Sequence, residues 1–258
     1  MKLRHAALSD VGMKRAHNED SYLVNPEAGL FVIADGMGGH AGGETASRVA
    51  VVTIEQEILT ARSEQPTAFD SSESLEHSPL AAVVRESLEG ACAAVFHAAH
   101  ANPGLEGMGT TAISLLIHRN QVFVGHVGDS RFYMVRDGAI QQISEDHSLV
   151  QEQVKAGILT PEQARTSRFK NIITRSIGFE EDVLVDVLGV DLKAGDQLLL
   201  CSDGLSNLIE EPEFRDVLTG TPLEEVPSKL VALANARGGD DNITVIVVQI
   251  DELDPTPA

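Results

Sequence analysis

The sequence predicts an α+β protein organised around antiparallel β-sheet, and two observations carry that expectation. Short apolar runs rich in β-branched residues recur along the chain, and between residues 111 and 143 the short turns "HRNQ" and "RDGA" each separate two of them. Parallel neighbours would need a crossover of a dozen or more residues there, so this stretch reads as an antiparallel meander. Helical periodicity is confined to a few long segments, and no internal repeat points to a solenoid or propeller.

Taken in order, residues 30–34, 111–117, 121–127, 131–135, 197–201 and 243–250 are apolar runs bounded by turn residues, the pattern of buried strands. Residues 79–100 place Leu80, Val83, Val84, Leu88, Cys92 and Val95 at helical spacing behind Pro79, which suits a first helical turn. Further helices are expected over 44–59 and 223–236. The intervening "ARSEQPTAFDSSESLEHSP" has the serine, acid and proline content of a solvated loop. Residues 144–172 interrupt the strand series with the helical "HSLVQEQVKAG" and read as an inserted flap. One domain over 1–250 is therefore expected, with a short tail at 251–258.

The 258 residues include 39 acidic and 19 basic ones, a formal net charge of −20. That balance opposes binding to nucleic acid or to an anionic membrane and favours cations. No run of about 20 apolar residues is present, and the N-terminal "MKLRHAALSDVGMKRAHNED" lacks the apolar core of a signal peptide. A soluble, cytoplasmic protein is expected. Cys92 and Cys201 are too few for a disulfide framework and sit in apolar surroundings that suit buried thiols.

The stretch "GLFVIADGMGGHAGGE", residues 29–44, admits three readings. A phosphate loop requires lysine after its last glycine, and the chain contains no Gly-Lys pair. Gly36, Gly38 and Ala41 satisfy a dinucleotide fingerprint, with Glu55 about 20 residues on, but Glu55 falls inside a predicted helix and Asp35 would face the pyrophosphate. The third reading is a metal site. Asp35, Asp129 and Asp203 each end an apolar run and Asp241 precedes one, while "NED" adds Glu19 and Asp20. Oxygen-only donors suit Mg²⁺ or Mn²⁺, and glycine lets backbone carbonyls approach the ion.

The ordered motifs "RAHNED", "FVIADGMGGHAGGE", "GMGTTA", "VGHVGDSRFY", "ITRSIG", "CSDGL" and "GGDDNITVIVV" span Arg15 to Val248. As a set they closely resemble the PPM family, the metal-dependent protein serine/threonine phosphatases, in its compact bacterial form. The resemblance implies a four-layer αββα sandwich of two antiparallel sheets flanked by helix pairs. It implies that Asp35 bridges two Mn²⁺ or Mg²⁺ ions, that Gly36 lends a carbonyl, that Asp203 and Asp241 complete one ion's shell, and that Glu19 or Asp20 supports the second through water. Asp129 with Asp203 matches a third, weaker ion position; Arg15 matches the phosphate-gripping arginine, and His40 the general acid.

The implied activity is hydrolysis of phosphoserine and phosphothreonine in proteins by a metal-bridging hydroxide, without a phosphoenzyme. Phosphorylated proteins, including a cognate Ser/Thr kinase or its substrates, are the implied partners. A non-catalytic metal- or phosphopeptide-binding member of the same fold is the alternative; loss of a ligand would signal it, and none is lost. A cysteine phosphatase is excluded, because C-x5-R is matched neither at Cys92, followed six residues on by Ala98, nor at Cys201, followed by Asn207. His97, His100 and His126 read as surface or packing residues, and Asp240 as a solvated neighbour of Asp241.

Overall fold

A computed structural model of the chain describes residues 1–38, 42–70 and 78–255. In chain order the elements are β1 (Lys2–Asp10), β2 (Asp20–Asn25), β3 (Leu30–Met37), α1 (Gly42–Glu64), α2 (Pro66–Asp70), α3 (Pro79–Ala101), β4 (Gly109–Thr110), β5 (Ala112–His118), β6 (Gln121–Val127), β7 (Arg131–Arg136) and β8 (Ala139–Gln142). They continue with α4 (Leu149–Lys155), α5 (Pro161–Arg165), β9 (Asp186–Asp191), β10 (Gln197–Cys201), α6 (Asp203–Ser206), α7 (Glu211–Gly220), α8 (Val226–Ala236) and β11 (Ile243–Glu252). One antiparallel sheet has the order β1-β11-β10-β7-β8 and the other β2-β3-β5-β6-β9, with β4 on β3.

The period of two along each strand builds the layers. From β3, Leu30, Val32 and Ala34 face α1 and α3, while Phe31 and Ile33 enter the space between the sheets. From β10, Leu198 and Leu200 meet them there, and Leu199 and Cys201 face Phe214 of α7 and Leu230 of α8. Strands apolar on both faces read as continuous hydrophobic runs, which is why these were the ones visible in the sequence. The result is the expected four-layer αββα sandwich.

The meander expected over 111–143 is corrected. Its two hairpins exist, β5 with β6 and β7 with β8, but they lie in different sheets. The chain leaves β6 at Val127 and enters the other sheet at Arg131, so "GDS" is a crossing between sheets rather than a turn within one. Short turns identify hairpins but carry no information on which sheet each hairpin joins.

The solvated loop is also corrected in part. α1 runs on to Glu64, and α2 buries Phe69, whose ring lies 5.0 Å beneath the Arg62 guanidinium; residues 71–77 fall outside the described residues. β1, β2, β9 and α7 carry mixed or acidic sequences, such as "KLRHAALSD" and "DVLGVD", and were not anticipated. β11 continues to Glu252, two residues into the expected tail. The flap segment contains α4 and α5, capped by Ser148 and by a Thr160–Gln163 capping box. An isolated bridge between Ser148 and Ile173 draws its two ends together.

Cys92 and Cys201 are free and buried, and His126 packs inside the sandwich with 1% exposure. His97 is exposed, as expected. Gly125 in β6 sets the closeness of α3 to the sheet, since a Cβ there would lie 2.7 Å from Val84 Cγ1 and 2.8 Å from Leu88 Cδ1. Gly125→Val is expected to cost about 1–3 kcal/mol through overpacking, measured as a lower urea midpoint; an unchanged midpoint would show that α3 can shift freely.

Candidate active site

The alternation that fills the space between the sheets with apolar side chains turns polar at one end. Phe31 and Ile33 are followed two residues on by Asp35, Leu198 and Leu200 by Ser202, and Ile246 is preceded by Thr244. On the same period, Thr111 precedes Ile113. A buried layer with a polar end is thus written into the strand registers themselves. Asp203 and Asp241 sit at the neighbouring junctions, opening α6 and preceding β11, and Asp129 sits at the crossing between sheets.

Asp20 begins β2 directly opposite Asp35 in the β2–β3 register. Its Oδ2 accepts hydrogen bonds from Ser202 Oγ at 2.8 Å and Thr244 Oγ1 at 2.6 Å, both from the opposite sheet. Its Oδ1 is buried without a partner. Burial pushes this carboxyl up to about 7, with repulsion from Asp203 and Asp241 adding to the rise and the two hydroxyls opposing it.

Asp35 is held through its backbone by the "GTTA" segment. Thr111 N and Thr110 Oγ1 both donate to Asp35 O at 2.8 Å, and Asp35 N donates to Thr111 Oγ1 at 3.0 Å. Burial, then repulsion from Asp20, Asp203, Asp129 and Asp241, holds the Asp35 carboxyl well above the ordinary range. Asp203 is also raised, by burial and by Asp241, although a hydrogen bond with Asp35 opposes this. Burial and then Asp203 lift Asp129 to about 8. Arg131, next but one in sequence, opposes this rise only by its nearby charge, because its guanidinium is hydrogen-bonded to Asp146 at 2.6–3.0 Å and to Tyr133 Oη at 3.0 Å.

Gly36 answers the question posed by the glycine-rich stretch. A Cβ there would lie 2.1 Å from Gly43 O and 2.5 Å from Glu19 O, so only glycine lets these three backbone segments meet. The Glu19 carboxylate then reaches the start of α1, where a backbone hydrogen bond from Gly43 lowers its pKa against a larger rise from burial. Asn242 fixes the segment before it. Its Oδ1 accepts from Glu19 N at 2.8 Å, and its Nδ2 donates to Val11 O and His17 O at 2.9 Å each.

Arg15 lies on this segment, half exposed, and donates to Asp241 Oδ2 at 2.7 Å. Asp240 turns outward to an ion pair with Lys14. His40 lies outside the described residues. The structure therefore brings Asp20, Asp35, Asp129, Asp203 and Asp241 into mutual electrostatic contact, with Glu19 and Arg15 at the edge. Thr110, Thr111, Ser202, Asn242 and Thr244 were missed as supporting residues, although each lies inside a motif singled out in the sequence.

The donor set suits a hard divalent cation, since it is all oxygen, it includes one buried unpartnered carboxylate oxygen, and the Gly36 backbone is closely approached. Among the described residues, no three His, Cys, Asp or Glu side chains are drawn close enough to hold an ion as they stand. Asp241 is paired with Arg15. Beside Asp129 and Asp203 a groove of about 800 Å³ opens between the flap and α7, and Arg165 spans it to Glu210 at 3.7 Å.

The carboxyls of Asp20 and Asp129 keep their protons to higher pH in the folded protein than in the unfolded chain. Their contribution to stability is therefore fully present only below the ordinary aspartate value of 3.8, and is lost progressively as pH rises from there until the folded groups ionise at about 7 to 8. In that window the buried His126 and His147, whose pKa values burial lowers, are neutral in the folded state. The urea midpoint of the protein in chelator is expected to fall from pH 7 to pH 8.5, and Asp203→Asn is expected to raise it at pH 8.5. A midpoint that climbs over this range would contradict the assignment of buried, mutually repelling carboxylates.

Comparison with known proteins agrees with this geometry. The family profile described as protein phosphatase 2C matches residues 13–231. The protein phosphatase PhpP of Streptococcus pneumoniae is 40% identical over 252 residues, covering 96% of this chain and 97% of that protein. The serine/threonine phosphatase stp of Listeria welshimeri is 36% identical, covering 93% of each. Among solved structures, the Mycobacterium tuberculosis serine/threonine phosphatase PstP/Ppp superposes with a TM-score of 0.85 at 34% identity, covering 97% of this chain and 99% of that one. A PstP catalytic domain in complex with two manganese ions gives a TM-score of 0.81 at 35% identity over the same shares. The chain belongs to the protein phosphatase 2C family.

Proposed function

We propose that this protein phosphatase hydrolyses phosphoserine and phosphothreonine in proteins, and that it does so with Mn²⁺ or Mg²⁺ bound among the buried carboxylates. The observation that carries the reading is the convergence of Asp20, Asp35, Asp129 and Asp203 at one end of the inter-sheet layer, where burial and mutual repulsion raise every one of them. Such a cluster is costly without cations and favourable with them. The manganese ions in the related PstP domain support the same choice of ion class.

In this reading Asp35, Asp203, Asp241 and the Gly36 carbonyl would hold the core ions, and Glu19 or Asp20 would support them through water. When bound, the ions supply an acidified water and neutralise charge on the phosphoryl group. Arg15, leaving Asp241, presents a planar fork to the phosphoryl oxygens. His40 supplies the proton that the departing serine or threonine alkoxide requires, a role suited to a side chain that titrates near neutrality. The groove beside Asp129 leaves room for the polypeptide on one side of the phosphorylated residue. The natural partners are phosphorylated proteins, including a cognate Ser/Thr kinase or its substrates, and the setting is the cytoplasm. Among the described residues no helix is long and apolar enough to cross a membrane.

Hydrolysis of p-nitrophenyl phosphate and of phosphothreonine peptides is expected only with added Mn²⁺ or Mg²⁺, and Asp35→Asn is expected to abolish it in a folded protein. Turnover in chelator would refute the proposal. Asp129 is assigned to a third, weaker ion shared with Asp203. Asp129→Ala is expected to keep two tightly bound ions by calorimetry, to lose any weaker binding event, and to fall at least about tenfold in turnover, a barrier increase near 1.4 kcal/mol. If Asp129 merely shapes the crossing before Arg131, melting temperature falls instead and ion stoichiometry stays as in the parent.

A further inference from the structure

The buried polar groups around Asp20 form a chain in which the direction of each hydroxyl proton follows from its neighbours. Asn18 Oδ1 accepts from Asp20 N at 3.1 Å, which fixes the Asn18 amide so that its Nδ2 donates to Ser9 Oγ at 2.8 Å. At the other end of the chain Thr244 Oγ1 donates its one proton to Asp20 Oδ2 at 2.6 Å. Thr244 Oγ1 can then only accept from Ser9, so Ser9 gives its own proton to it across 2.8 Å and accepts from Asn18. On the other side, Ser202 Oγ accepts the Thr244 backbone N–H at 2.9 Å and turns its proton to the same Oδ2 at 2.8 Å. The chain ends on one oxygen of one carboxylate, and its hydroxyls come from the sheet opposite Asp20, with Asn18 added from the segment that carries Glu19.

Two hydroxyl donors on Oδ2 require that this oxygen carry no proton and fix the carboxylate's rotation. The other oxygen, Oδ1, is buried with no hydrogen-bond partner, in a side chain only 8% exposed that lies opposite Asp35 in the strand register. An oxygen so desolvated and unsatisfied is explained by a ligand, and among like-charged neighbours that ligand is a cation.

We propose that Thr244 and Ser202 are positioning residues of the cation centre: their hydroxyls lock Asp20 with Oδ2 turned to the β10–β11 side and Oδ1 presented to a divalent ion, with Ser9 and Asn18 supporting Thr244 from behind. The inference rests on the cation reading given above, but it assigns work to residues that do not themselves touch the ion. Outer-shell partners of this kind are worth roughly ten- to a hundredfold in metal affinity.

The test is titration of the metal-free full chain with MnCl₂ by calorimetry, together with melting curves in chelator and in saturating Mn²⁺. Thr244→Val, which keeps the volume and removes the hydroxyl, is expected to weaken Mn²⁺ binding about ten- to a hundredfold and to shrink the rise in Tm that Mn²⁺ produces. Thr244→Ser is expected to restore both. A purely structural Thr244 would lower Tm equally with and without Mn²⁺ and leave the affinity unchanged, which overturns the proposal. Should Thr244→Val fail to fold, Ser9→Ala removes only the outer donor, and a several-fold weaker affinity is then expected; parental affinity there overturns it. Failure of the parent protein itself to bind Mn²⁺ would overturn the cation reading as well, so the two assignments fail in different ways.

Discussion

The structure is governed by the repulsion among carboxylates that the fold gathers where its two sheets meet. Asp20, Asp35, Asp129 and Asp203 are raised first by burial, and repulsion from neighbouring aspartates, Asp241 among them, adds to the rise. Nothing in the apolar layer beneath can relieve this. Relief comes from groups brought in around the rim: the Ser202 and Thr244 hydroxyls on Asp20, the Gly43 backbone on Glu19, and the Arg15 guanidinium on Asp241. Each offsets part of the charge, and none satisfies Asp20 Oδ1.

The same two sheets that create the difficulty also hold it in place. Phe31, Ile33, Ile113, Leu115, Leu198, Leu200, Ile246 and Val248 interlock directly below the polar end. The acidic groups therefore hang from strands whose positions are set by close packing rather than by the charges themselves. Functional groups seated on packed strands keep their spacing when charge is added or withdrawn.

How much of this could be read from the sequence depends on which physical signal each part uses. The strands apolar on both faces were legible because burial on two sides leaves an unbroken hydrophobic run, and the long helix behind Pro79 because its apolar residues recur at helical spacing. Edge strands such as β1 and β9 alternate irregularly and gave no such run. The acidic centre was legible as a set of aspartates at the ends of those runs. The division of the two hairpins between sheets was not, since it is decided by packing around the 128–130 crossing. Nor was the role of Thr110, Thr111, Ser202 and Thr244, whose small hydroxyls have no periodicity of their own. Their position, two residues beyond the last inward apolar side chain, becomes meaningful only after the register is known.

The neck of the flap has a consequence for how the molecule tolerates change. Ser148 bridges Ile173, and His147 straddles the same point, donating its N–H to Gly128 O at 2.8 Å and accepting from Gly128 N through Nδ1 at 3.0 Å. Thr174 N closes onto His147 O at 2.8 Å. The excursion carrying α4 and α5 thus departs and returns through one pinched doorway beside the crossing between sheets. Residues added or removed within it leave the doorway's span unaltered, and loop closure grows only as the logarithm of length, about 0.6 kcal/mol per doubling. The flap is in this sense an interchangeable cartridge: its length and lining can be rewritten while the carboxylates behind the doorway stay where the sheets put them.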